Sequence, residues 1–264
     1  MYDPGVIEGT RRWREWGLVA VAVVPLALLL TRPPLPQDLK YHALADTRAW
    51  LGIPNFADVA SNLPFLAIGL AGLVLCSGGR VTGACRAWTA FFLGVALACG
   101  GSAWYHWHPD NATLLWDRLP ITIAFMGLFV GLVSEHAEGR LERALLIPAI
   151  AAGIASVAWW AWSDDLRVYL WVQAAPLLCI VYVLIVYPGR YTHRWCLGYA
   201  LAAYALAKAA EFRDAEIYAV TSGVMSGHTL KHLLSALAVY LIYRMLRVRS
   251  PISRGLEAHA AAAP

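Results

Sequence analysis

The sequence predicts an all-α fold, a polytopic bundle of transmembrane helices. Hydrophobic residues make up 59% of the 264 positions, charged residues make up only 14%, and mean hydropathy is +0.55. A water-soluble fold could not bury so much apolar surface. Many of the 12 Trp and 12 Tyr residues fall near the ends of the apolar stretches, where aromatic side chains meet a membrane interface.

Several apolar stretches are close to the roughly 20 residues that cross a bilayer, so we expect about eight spans. They cover residues 16–31, 59–79, 87–106, 115–134, 144–162, 168–187, 195–210 and 228–246. The first stretch is followed directly by Arg32, Pro33 and Pro34 and lacks a clear small-residue cleavage site. An uncleaved anchor is therefore favoured over a cleaved signal peptide.

The cations outside the spans indicate the orientation. Most of them fall on one side of the bundle, in groups such as those within 11–14, 190–194 and 244–249. By the positive-inside rule, we expect a multi-pass membrane protein with both termini in the cytoplasm. The cations are scattered through short loops and form no basic face, so nucleic acid is not an expected partner.

The loops are short except for 33–58 and 211–227, so no second domain is expected beside the bundle. We divide the chain into residues 1–50 (a tail, an extra transmembrane helix and a loop), 51–246 (the helical core) and 247–264. The last segment is predicted to be a disordered cytoplasmic tail. The five cysteines show no CxxC spacing and are expected to be small packing residues.

Polar residues inside membrane spans are functional candidates, because burying them in an apolar layer has a high free-energy cost. With the predicted orientation, they gather at the non-cytoplasmic end of the bundle. They are Asp58, Ser61, Asn62, Ser102, His106, Asp117, Lys208, Glu211, Asp214, His228 and His232.

Helical spacing reduces this set to a candidate metal site. His228 and His232 are four residues apart and share one helix face, and Ser102 and His106 repeat that relation. Three histidines leave the fourth position of a catalytic zinc ion open for water. Asp117 follows His106 by eleven residues and lies at the same level, where its carboxylate could exchange protons with that water.

The other polar residues allow more than one interpretation. Lys208, Glu211 and Asp214 could form an ion pair at a helix end or line the pocket, or the two carboxylates could fix a histidine tautomer. Ser61 and Asn62 could bond between helices or contact a substrate.

Three motifs carry a resemblance to a known family: Ser61-Asn62-Leu63, then Gly101 to His106 followed by Asp117, and finally Ser226 to His232. Over residues 50–246, the chain resembles the alkaline ceramidase family within the CREST superfamily of membrane hydrolases. The resemblance implies a seven-helix core and hydrolysis of the ceramide amide to a sphingoid base and a fatty acid.

The resemblance also implies the roles of the site residues. Zinc would be held by His106, His228 and His232, while Ser102 and Asp117 would serve the metal-bound water and the developing oxyanion. We therefore expect a zinc-dependent amidohydrolase that cleaves a lipid substrate, ceramide or another N-acyl lipid.

The chain departs from the family at two places. Asn55 stands where animal members carry a calcium-binding Glu, so calcium is not predicted. The extra span at 16–31 lies outside the seven-helix core, and the segment 52–56 resembles that of bacterial relatives. This resemblance implies a location in a bacterial inner membrane.

Two other functions remain open from the sequence. The same superfamily resemblance reaches receptor-like proteins, so one alternative is a non-enzymatic metal- or lipid-binding membrane receptor. The other is a haem protein with His106 and His232 as axial ligands, which the neighbouring Ser and Asp make less suitable.

Overall fold

The computed structural model describes residues 4–137 and 141–252, and this part of the chain is helical with no β-strand, as predicted. The helices are α1 (Pro4–Leu30), a short 3-10 helix (Leu39–His42), α2 (Phe56–Ala60), α3 (Leu63–Ser77), α4 (Cys85–Trp107), α5 (Asn111–His136), α6 (Leu141–Ser163), α7 (Arg167–Val186), α8 (Cys196–Phe212), α9 (Asp214–Val220) and α10 (Gly227–Val248).

Six helical segments of the described chain are long and apolar enough to cross a membrane, which indicates an integral membrane protein. They are Arg12–Leu30, Phe56–Ser77, Cys85–Trp107, Asn111–His136, Leu141–Ser163 and Arg167–Val186. The predicted spans at 195–210 and 228–246 correspond to α8 and α10. Because α8 has only 17 residues and α10 carries Lys231, Arg244 and Arg247, the number of eight spans stays a prediction.

The structure divides the predicted span at 59–79 into α2 and α3. Pro64, in the first turn of α3, has no N–H to donate to the carbonyl of Ala60, so the first helix cannot continue unbroken. The Asn62 side chain bonds the Asp58 carbonyl at this break, with 2.8 Å between Nδ2 and O. The two longer loops also contain helix, namely the 3-10 turn and α9.

Helix α4 lies between α3 and α5, and α10 packs against α8 and α3. The extra helix α1 packs on α7, where the Trp171 indole donates to the Ala22 carbonyl over 2.7 Å. This packing brings the ends of α4, α8 and α10 together at one end of the bundle, which we call the histidine end. The other end contains the α3–α4 and α5–α6 connections and is called the opposite end.

Glycines let α4 and α5 approach closely. A Cβ on Gly101 would lie 2.2 Å from the Trp116 carbonyl oxygen, and one on Gly94 would lie 2.4 Å from the Ala124 nitrogen. Small residues of this kind allow backbones of membrane helices to meet directly. The contact at Gly101 is beside Ser102 and so sets the distance between the candidate residues of α4 and α5.

At the opposite end, a buried ion pair joins α5 to the residue after α10. Arg249 Nη1 donates to Glu135 Oε2 over 2.7 Å, and the Trp88 indole donates to Glu135 Oε1, also over 2.7 Å. Residues 250–252 then contact the segment after α7. The start of the predicted tail thus belongs to the fold, while 253–264 lie outside the described residues.

Replacement of Gly101 by Ala should destabilise the bundle, because the new methyl group has no space against the Trp116 carbonyl. We expect a loss of about 1–3 kcal/mol, seen as a lower Tm in detergent by differential scanning fluorimetry. Gly100→Ala is the matched control, since nothing lies within 4 Å of its added Cβ. Equal Tm values for the two variants would contradict this account of the α4–α5 contact.

Arg249→Met should cost about 3–5 kcal/mol of stability, because it leaves the buried Glu135 carboxylate without its cation. The double variant Glu135→Gln/Arg249→Met should recover part of that loss in the same melting assay. The control is Arg247→Met, which removes an exposed cation two residues earlier in the chain. A single variant as stable as the control would show that the ion pair does not hold the two segments together.

Candidate metal centre

Three histidine nitrogens converge at the histidine end. His106 Nε2 lies 3.2 Å from His232 Nε2 and 3.3 Å from His228 Nε2, and all three rings are buried. Nitrogens bound about 2.0–2.1 Å from a tetrahedral zinc ion are about 3.3–3.4 Å apart. The described residues contain this one group of three or more ligating side chains close enough to hold a metal ion.

The start of α10 places two of these ligands. Ser226 caps the helix by accepting from the Thr229 backbone N–H over 2.9 Å, and Asp214 accepts from the His228 backbone N–H over 2.7 Å. Acceptors at a helix N-terminus satisfy backbone donors that have no partner within the helix. His228 and His232 consequently project from the first two turns, one above the other.

Ser61 links the end of α2 to His232. Its hydroxyl lies 3.0 Å from the Asp58 carbonyl, which can only accept, and 2.7 Å from His232 Nδ1. When the hydroxyl proton goes to the carbonyl, the Ser61 oxygen accepts from Nδ1–H of His232. The Nε2 lone pair of His232 is then free for a metal. A histidine ligand whose other ring nitrogen donates to a neighbour is the usual arrangement in metal sites.

A hydrogen bond to the backbone carbonyl of His106 fixes the position of this residue. Asn55 Nδ2 donates to the His106 carbonyl over 2.7 Å, whereas Nδ1 of His106 is buried and has no partner among the described residues. Asn55 stands at the position where the family resemblance expects a calcium-binding Glu. In this chain, its side chain orients the end of α4.

A buried carboxylate joins α2 to α10. Asp58 Oδ1 accepts from the Thr229 hydroxyl over 2.6 Å and from the Ser226 hydroxyl over 3.2 Å. These bonds fix the first turn of α10, which contains His228 and precedes His232 by one turn, against α2. Asp58 therefore supports the site without pointing into the group of imidazole nitrogens.

Ser102 and Asp117 are buried on α4 and α5, and the Ser102 hydroxyl interacts with the Asp117 carboxylate. Ser102 is one turn from His106 on α4, and Asp117 lies in the second turn of α5. A hydroxyl donor and a carboxylate therefore lie at the histidine end, outside the group of three nitrogens that are close enough to share a metal ion. The roles of these two side chains stay predictions.

The side chain of Lys231 also lies at the site, and its role was not predicted from the sequence. Lys231 Nζ is 2.6 Å from His228 Nε2 and 3.2 Å from Glu211 Oε1. Glu211 also pairs with Lys208 and accepts from the Tyr41 hydroxyl over 3.1 Å. Burial, and then the Glu211 charge, raise the pKa of Tyr41 well above its usual value.

These contacts decide between the interpretations left open by the sequence. Lys208 and Glu211 do form an ion pair, as one alternative predicted. Asp214 accepts from the backbone N–H groups of His228 and Ala45, so its carboxylate does not fix an imidazole tautomer. Ser61 bonds between helices. All five cysteines are free thiols.

Two local ion pairs hold the loop before α2 and the α6–α7 turn in shape. Asp46 binds Arg48 with 2.6 Å between Oδ2 and Nη2, and Asp165 binds Arg167 with 2.7 Å between Oδ2 and Nη2. The arginine hydrogen bonds lower the pKa of both carboxyl groups. Asp165 also accepts from the Leu35 backbone N–H, which ties the loop to the α6–α7 turn.

Comparisons with protein-family models and with curated proteins find no match to this chain. The assignment of chemistry to the site therefore depends on its own geometry and on the motif resemblance.

We expect purified protein to bind one metal ion per chain and His232→Ala to lose it, because two imidazoles alone form a much weaker site. Ser61→Ala should lower zinc affinity about 10- to 100-fold, since it removes the acceptor that fixes His232. Elemental analysis and competition with a chelator measure both effects. His42→Ala is the control, because that ring bonds Tyr105 and Asn111 instead; full metal retention by His232→Ala would contradict the assignment.

Proposed function

We propose that this protein is a zinc-dependent intramembrane hydrolase that cleaves the amide bond of a lipid such as ceramide. The observation that carries the proposal is the buried group of three histidines at one end of a bundle of membrane-length helices. The buried Ser102, one turn from His106, and Asp117, with which it interacts, support the choice of hydrolysis. A metal with one free coordination position next to a carboxylate is the arrangement used for hydrolysis.

The described residues fit the proposed metal. His106, His228 and His232 would hold it, through Nε2 atoms whose separations suit tetrahedral ligation. When bound, zinc would polarise the scissile carbonyl and lower the pKa of a water molecule to about 7. Imidazole ligands also suit copper, iron and nickel, so the choice of zinc comes from the hydrolytic neighbours and the family resemblance.

The protein residues would carry the proton and stabilise the charge. Asp117 would take a proton from the attacking water as its oxygen adds to the carbonyl carbon. The same carboxyl group would then return the proton to the amine nitrogen as the carbon–nitrogen bond breaks. Ser102 would donate a hydrogen bond to the oxyanion that forms on the former carbonyl oxygen.

The surroundings suit a lipid amide. The side chains of the site are buried at the ends of apolar helices, so an acyl chain could lie along the bundle while its polar group reaches the metal. The motifs shared with alkaline ceramidases support an N-acyl lipid as substrate. With the predicted orientation, hydrolysis would take place toward the non-cytoplasmic side of the membrane.

The haem alternative does not agree with the distances. Two axial histidines lie on opposite faces of a flat macrocycle and do not touch each other. Here His106 and His232 are in direct contact, and His228 closes a third side. The receptor alternative shares the metal site and differs from the hydrolase only in giving no product.

Asp117→Asn should reduce kcat by a factor of about 10² to 10⁴ at unchanged zinc content, because the amide side chain cannot accept the proton. Ser102→Ala should reduce kcat by about 10² to 10³ through loss of the oxyanion donor. The assay follows ceramides and other N-acyl lipids by mass spectrometry, with the exposed Glu216→Gln as control. Full activity of Asp117→Asn, or activity in protein without zinc, would contradict the mechanism; metal and lipid binding without any product would favour a receptor.

A further inference from the structure

Lys231 is a cation fixed at the reaction site by its own helix. It lies between the two histidine ligands of α10, and only 14% of its side chain is exposed. Its charge interacts with Asp117, His106 and His232 as well as with its direct partners. None of the proposed hydrolytic steps uses it.

With a metal ion bound to His228, the Lys231 ammonium group would have more hydrogen-bond donors than acceptors. An ammonium group has three donors, and the described contacts of Nζ are Glu211 Oε1 and His228 Nε2. A metal on His228 would occupy the lone pair that accepts from Lys231. At least one donor of a largely buried ammonium would then need an acceptor from the site, and leaving it unsatisfied is costly.

The charges around Lys231 favour an anionic acceptor. Lys208 and Lys231 share the single carboxylate of Glu211, so these three side chains carry one excess positive charge. The Asp117 carboxylate, which also interacts with Lys231, is the proton acceptor of the proposed reaction. Asp58 Oδ1 and both Asp214 oxygens accept from hydroxyl and backbone donors of α10 and the loop before α2, and neither carboxylate is hydrogen-bonded to Lys231. Lys208 is 40% exposed at the edge of the network, where a polar headgroup could enter.

We propose that Lys231 is the specificity-determining residue of this site and binds an anionic group next to the scissile amide. The preferred substrates would be anionic N-acyl lipids, which carry either the carboxylate of an N-acyl amino acid or a phosphate on the amine side. This inference depends on the proposed hydrolase function. Glu211 positions the lysine, and the charge-assisted bond supplies the selectivity.

Three substrates with the same acyl chain test the proposal: N-oleoylglycine, N-oleoylethanolamine and its O-phosphate. With the zinc-loaded wild type, we expect KM for at least one anionic lipid to be about tenfold or more below KM for the neutral one. Lys231→Met should raise KM for the anionic lipid about 10- to 100-fold and leave the neutral KM within about twofold. Lys231→Arg should keep the preference, and the exposed Arg213→Met is the control for loss of one positive charge.

Equal KM values for all three lipids in the wild type would overturn the proposal. So would a Lys231→Met variant that loses zinc or loses kcat equally on every lipid, because Lys231 would then support the metal or the oxyanion. The carboxylate and phosphate arms identify which anion is preferred.

Equilibrium binding of the same lipids to Asp117→Asn and Asp117→Asn/Lys231→Met separates this inference from the hydrolase function. A preference for the anion that disappears with Lys231→Met supports the subsite even if the wild type cleaves nothing. The absence of that preference contradicts the subsite even if the wild type is an active amidase.

Discussion

The contact among three imidazole nitrogens is the constraint on which the rest of this structure depends. His106 and His232 approach to 3.2 Å in a buried place, where bare lone pairs would repel one another and only a shared proton or a metal ion makes the contact favourable. Buried polar groups are costly unless they are hydrogen-bonded. The bonds of Ser61, Asp58, Asp214 and the Ser226 cap hold the start of α10 in one register against α2 and α9.

The same physics connects the fold to the site. In the bundle, α4 and α5 come together through glycines, and this close contact places Ser102 and Asp117 within reach of each other. At the opposite end, the ion pair between Glu135 and Arg249 fixes the far end of α10. Helix α10 is thus held at both ends, and its histidines face α4 at a fixed height.

Much of this was predictable from the sequence, because helical periodicity and apolar length determine which residues share a level. The spacing of His228 and His232 and their common level with His106 predicted the convergence of the three imidazoles, whereas the roles of Ser102 and Asp117 stay predictions. The role of Lys231 was not predicted. Its side chain extends from the histidine motif to Glu211, and neither residue spacing nor composition determines that side-chain conformation. The break at Pro64 and the order of residues 249–252 also depend on contacts between distant segments, which local patterns do not encode.

Zinc K-edge absorption spectroscopy of the purified full-length protein is the most direct test of the central claim. We predict about three imidazole nitrogens at roughly 2.0–2.1 Å plus one oxygen ligand, with the imidazole signal lost together with the metal in His106→Ala. Protein that holds no zinc under these conditions, or a spectrum dominated by sulfur or carboxylate ligands, would contradict the account.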